Sequence, residues 1–124
     1  MGEKELYGGL VRLHVLHHAS HEPVFGQGLM DELAHHGYRL SPGTLYPILH
    51  GLEKSGQLKS TVEKAGKTSR RTYVATAAGR KALRAAKVRV RELFRELFEE
   101  ELPHGLLEGA MRDRRTTREK GEKL

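Results

Sequence analysis

"LSPGTLYPILHGLEKSG", residues 40–56, carries Pro42 and Pro47 together with Gly43, Gly51 and Gly56, yet its apolar residues fall at helical spacing. Leu45, Ile48, Leu49 and Leu52 sit at i, i+3, i+4 and i+7 and make one continuous face for a core. Ser41 suits the N-cap. Pro42 suits the first helical position, where its missing N–H has no partner to lose, and Gly56 closes the far end. Gly43, Thr44, Tyr46, Pro47, His50 and Gly51 fall largely on the opposite side. That side is small or flat, bears two hydroxyls, and permits close approach to something outside the core. Pro47 should forfeit a backbone hydrogen bond and kink the helix, a cost that points to a shaped N-terminus.

The elements on either side follow from the same periodicities. Residues 5–19 read as a helix with Leu6, Leu10, Leu13 and Leu16 as its apolar stripe, stopped by Pro23. A second helix spans about residues 26–36, buries Leu29, Met30, Leu33 and Ala34, and exits through Gly37. After Gly56 the period becomes two. Leu58, Ser60 and Val62 alternate with polar residues, residues 63–69 read as a turn around Gly66, and Arg71, Tyr73 and Ala75 alternate again. This is a hairpin with Lys64, Lys67, Arg70 and Arg71 around its tip. Thr76 then caps a long helix over about residues 77–101, ended by Pro103 and Gly105. Its Leu83, Ala86, Val90, Leu93, Leu97 and Leu102, joined by Phe94 and Phe98, approximate a heptad seam that a second copy would cover.

The fold class expected is therefore mainly α (α+β), a winged helix-turn-helix over residues 1–76 with a long dimerisation helix over residues 77–111. Residues 112–124, RDRRTTREKGEKL, read as a charged, disordered tail.

Charge narrows the function. The 124 residues carry a net charge of +6, and it is polarised. Residues 54–91 hold twelve basic side chains against one acid, Glu63, whereas residues 1–53 hold three basic and six acidic ones. A basic block on a defined segment is the footprint of a polyanion site. No cysteine is present, which excludes disulfide scaffolds, thiol nucleophiles and cysteine-ligated zinc. There is no glycine-rich nucleotide loop after a strand and no zincin-type His-Glu string, so catalysis finds no support. Without a signal peptide or a membrane-length apolar run, the chain is expected in the cytoplasm, with no membrane partner and no cofactor.

Four of the eight histidines, His14, His17, His18 and His21, form an i, i+3, i+4, i+7 ladder on the first helix. Pairs four apart can share a metal, and histidine protonation could tune an interface, so a metal- or pH-responsive regulator is an alternative reading. Only Glu22 stands near in sequence to complete a ligand set, and interfacial packing is the plainer role. A winged-helix module for protein contacts or nonspecific DNA coating is a further alternative.

A family resemblance sharpens this reading. "SPGTLYPILHGLEKSGQL" at 41–58, "SRRTYVATAAGRKAL" at 69–83 and "LHVLHHASHEPVFGQGLMDEL" at 13–33 resemble the PadR family of bacterial transcriptional regulators, the likeness covering about residues 6–100. It implies that the third helix brings Ser41, Gly43, Thr44, Tyr46 and Pro47 against double-stranded DNA. The hairpin, as wing, then contributes Lys64, Lys67, Arg70, Arg71 and Tyr73. The chain resembles the short-tailed subgroup, which implies a homodimer on a palindromic operator, formed here through Leu10, Val90, Leu93, Phe94, Leu97 and Phe98. It also implies repression relieved by a small-molecule effector near the dimer interface. Two positions depart from the family pattern, Gln27 in place of an aromatic residue and Ala75 in place of a leucine, and no tryptophan is present for an indole sandwich.

Overall fold

The computed structural model describes residues 3–99, and residues 100–124, with Leu102 and the tail, lie outside them. The chain divides into two compact units, one ending at Ala86 and the other beginning at Lys87.

In the first unit, helix α1 (Glu3–His21) is followed by a two-residue strand β1 (Val24–Phe25), then α2 (Gly26–His35) and α3 (Pro42–Lys54). A hairpin of β2 (Leu58–Ala65) and β3 (Thr68–Ala75) leads into α4 (Ala77–Phe98). The sheet is antiparallel with order β1-β3-β2. Its third strand is a correction to the two-stranded reading. Val24 and Phe25 pair with Tyr73 and Thr72, but a two-residue strand carries no alternation for sequence to show.

The core is one cluster contributed by every helix of this unit. Leu45, Ile48, Leu49 and Leu52 of α3 are buried as the spacing requires, against Leu29 and Leu33 of α2 and Leu58, Tyr73 and Ala75 of the sheet. Fully burying such a side chain contributes roughly 1.5–3 kcal/mol, so this face fixes where the opposite face of α3 must point. On α1 the buried stripe is Val11, Val15, Leu16 and Ala19, whereas Leu6 and Leu10 are exposed. The stripe is rotated from the one expected because leucine spacing alone did not weigh the two valines.

Junctions hold α3 in place. Gly37, at φ +92°, turns the chain out of α2, and Gly56, at φ +84°, turns it out of α3 toward β2. L side chains rarely adopt such φ values, which explains glycine at both. Thr76 caps α4 as expected: its hydroxyl accepts the Gly79 N–H at 3.0 Å and donates to the Gly56 carbonyl. Gly79 lies so close to the Gln57 carbonyl that a Cβ there would collide with backbone.

The hairpin is tighter than expected. Pairing continues to Ala65 opposite Thr68, leaving only Gly66 and Lys67 as the turn, with Gly66 at φ +66°. Glycine at the first central position matches the right-handed twist of the flanking strands.

In the second unit, α4 continues to Phe98 with Val90, Leu93, Phe94 and Leu97 exposed and the Phe94 and Phe98 rings 4.8 Å apart. Among the described residues, no helix is long and apolar enough to cross a membrane.

Candidate nucleic-acid interface

Because four leucine-type residues of α3 face the core, Ser41, Gly43, Tyr46, Pro47 and His50 are exposed together on its outer side, and Thr44 is half-buried at the rim. The helix runs unbroken through Pro47. Ser41 occupies the N-cap position, but its hydroxyl makes no capping bond; it lies 3.4 Å from the Thr44 hydroxyl instead. The Ser41 carbonyl receives the Thr44 and Leu45 N–H groups. The hydroxyl expected to serve the helix is thereby turned toward the outer surface.

Tyr46 is 37% exposed, and its hydroxyl rests against Gly26 at the start of α2, where a Cβ would collide with it. Its placement therefore depends on two helices. Gly26 is buried beneath that ring.

The only acid in α3 is Glu53, and it is engaged. The Ser60 hydroxyl donates to Glu53 Oε2 at 2.6 Å, and Arg71 donates to the Ser60 hydroxyl at 3.0 Å. This chain ties the last turn of α3 to both strands of the hairpin. The outer surface of α3 is left without an unengaged carboxylate.

The four basic residues around the tip of the hairpin are all exposed, but they do not share one face. Cross-strand partners lie on the same side, and successive residues alternate. Lys64 and Arg71 therefore share the side of Tyr73 and Leu58, Arg70 lies on the other beside Glu63, and Lys67 occupies the turn. Arg70 packs its guanidinium over the Phe25 ring, 4.1 Å from the centroid.

Tyr73 requires a correction. At 1% exposure it belongs to the core, and its phenol is shut away from any surface ligand. Burial, the first cause, pushes that phenol above its ordinary pKa, Glu53 and Tyr46 push the same way, and Arg71 opposes them. Its oxygen is buried with no hydrogen-bond partner among the described residues. The alternation Arg71, Tyr73, Ala75 already placed it on the same side as a core alanine.

The histidine ladder is divided by the fold. His17 and His21 pair with each other, rings 4.6 Å apart, and His21 Nδ1 donates to the His17 carbonyl at 2.8 Å. His14 and His18 instead meet His36 at the end of α2, one ligand atom from each lying within 4.8 Å of the others. Glu32, not Glu22, is the neighbouring carboxylate, with Oε1 3.8 Å from His18 Nε2 and 3.5 Å from His36 Nε2. Burial, then His36, His18 and His17, hold the His14 imidazole below its ordinary pKa, and Glu32 pulls the other way. Sequence reasoning missed Glu32 and His36. The signal present was a second pair four residues apart, but no pattern said that the two helices meet there.

The chain matches the PadR-like family of transcriptional regulators over residues 15–85. It is 49% identical over 95 residues to the transcriptional regulator Rv3488 of Mycobacterium tuberculosis, covering 77% of this chain and 89% of that protein. A PadR family regulator from Eggerthella lenta superposes with a TM-score of 0.69 at 31% identity, covering 79% of this chain and 88% of its own. A Streptococcus transcriptional regulator shares the fold, with a TM-score of 0.71 at 20% identity, over 81% of this chain and all of its own. A family match across more than half of the chain, a close relative and the shared winged-helix fold agree: this chain belongs to the PadR-like family of transcriptional regulators and is not an enzyme.

Proposed function

We propose that the protein is a sequence-specific DNA-binding regulator that sets the outer face of α3 into the major groove and lays the β2–β3 wing along the neighbouring backbone. The observation that carries this reading is the composition of that face: Ser41, Gly43, Tyr46 and Pro47 exposed, Thr44 at the rim, and Glu53 engaged by Ser60. Small residues let the helix approach closely. Hydroxyls offer hydrogen bonds to phosphate or base edges, and the Gly43 N–H, in the first turn where Pro42 has none and those of Thr44 and Leu45 go to the Ser41 carbonyl, suits a phosphate oxygen. Lys64, Lys67, Arg70 and Arg71 supply positive charge for the backbone, which positions the protein without reading sequence.

The working species in this reading is a homodimer in the cytoplasm, joined through Val90, Leu93, Phe94, Leu97 and Phe98 of α4 with Leu10 of α1. The exposure of Val90, Leu93, Phe94 and Leu97, and of Leu10 at 39%, supports it, since large apolar residues clustered on one helix mark a contact surface. A two-fold dimer reads a palindrome whose half-sites are one helical turn apart, roughly 34–36 Å. It acts as a repressor that occupies its operator until an effector binds near the dimer interface.

The test is selection of bound fragments from the source genome by the purified full-length protein. Enrichment of a few fragments sharing a palindrome with that spacing is the expected result. Uniform recovery of all fragments would assign the protein to nonspecific coating instead.

A further inference from the structure

We propose that His14, His18 and His36, with Glu32, form a binding site for a divalent transition-metal cation of the zinc type. The site lies on α1 and α2, apart from the outer face of α3, and stands whether or not that face binds DNA.

The donor set is the first argument. Three imidazoles and one carboxylate are a zinc-type ligand set, and imidazole nitrogen suits zinc, nickel and copper rather than magnesium or calcium. His14 and His18 are one turn apart on α1, and Glu32 on α2 is four residues before His36, which caps that helix's C-terminus, so each segment offers two ligands at i, i+4.

Distance is the second. Bonds of about 2.0 Å at tetrahedral angles place ligand atoms roughly 3.3 Å apart. Glu32 Oε1 is already 3.5 Å from His36 Nε2 and 3.8 Å from His18 Nε2. The three histidine ligand atoms lie within 4.8 Å of one another and must draw together to close around an ion, with Glu32 reached through its approach to His18 and His36.

Environment is the third. His18 Nε2 is buried and has no hydrogen-bond partner, an unmet need that coordination would satisfy. The His14 ring is held between His36, at 4.8 Å, and Tyr38, at 5.3 Å, which limits its freedom before any ion arrives. A cavity of about 210 Å³ borders the cluster at His18 and Glu32, though not at His14 or His36. Occupancy would join α1 to the end of α2, one residue before the Gly37 turn that leads to α3.

The test uses the full-length protein, stripped with chelator and titrated with zinc chloride by calorimetry, with cobalt(II) as a spectroscopic stand-in. One ion per chain is expected, with the intense visible bands of four-coordinate cobalt and no uptake of magnesium. Zinc should raise the wild-type melting temperature. His36→Ala, at an exposed position, should weaken zinc binding at least tenfold and abolish the thermal shift, and Glu32→Gln should weaken binding while keeping the fold. His17→Ala should change neither. No zinc uptake by the wild type at micromolar concentrations would overturn the site. So would loss of binding in His17→Ala equal to that in His36→Ala, or full binding retained by both His36→Ala and Glu32→Gln.

Discussion

Gly26 and Tyr46 stand on different helices, and each decides what the other can be. The Tyr46 ring occupies the space above Gly26, so an added Cβ must displace the ring, and the far end of an exposed side chain can move. Gly26→Ala should therefore fold with a small change in melting temperature, yet lose operator affinity several-fold because Tyr46 is moved off its seat. Unchanged affinity in an anisotropy titration would show that this placement does not matter to DNA. Gly79 presents the opposite case. What a Cβ would strike there is the Gln57 carbonyl, which is backbone and cannot rotate away. Gly79→Ala should cost about 1–3 kcal/mol in urea unfolding, the usual range for forced overpacking. Neither contact was legible in the sequence, because each joins residues about twenty apart through geometry that no spacing records. The buried face of α3 was fully legible, since Leu45, Ile48, Leu49 and Leu52 repeat at the helical period.

At the scale of elements, the wing shows how an exposed strand pair escapes sequence reading in detail. Its existence followed from period-two alternation and Gly66, but residues 63–69 read as loop where the strands pair as far as Ala65 and Thr68. Polar side chains at the tip carried no burial signal, so the ladder there was invisible. The same lack of alternation hid β1. Tyr73 was misread for the opposite reason: it lies among basic residues in sequence but faces the core. The wing predictions accordingly rest on the exposed cations alone. Lys67, in the turn, should meet a phosphate. Lys67→Ala should weaken binding to all duplexes alike and reduce the slope of log affinity against log salt by about one per lost contact in each subunit. An unchanged slope would mean that the turn faces solvent in the complex.

For the whole molecule, the palindrome proposed above implies two copies. Leu93, Phe94 and Leu97 are 47, 41 and 58% exposed on one helix, an arrangement that association would cover. Leu97→Asp should shift the protein from dimer to monomer in sedimentation at micromolar concentration, and a monomeric wild type would contradict the dimer outright. The heptad-like spacing made this surface legible. How a second copy would lie against it was not legible, because heptad spacing names candidate contact residues and not an angle.

If the outer face of α3 reads DNA, the Thr44 hydroxyl is the group whose removal should show it. Thr44 is half-buried at the rim of that face and absent from the hydrophobic core, so its hydroxyl can be removed without touching the leucines beneath. The measurement is the affinity of Thr44→Ala for the selected operator, taken beside its melting temperature. The loss of one hydrogen bond per subunit, about 0.5–1.5 kcal/mol each and more where a phosphate charge strengthens it, predicts an affinity at least several-fold weaker with the melting temperature unchanged. Full operator affinity in a Thr44→Ala protein of lowered stability would return this residue to the fold and contradict the claim.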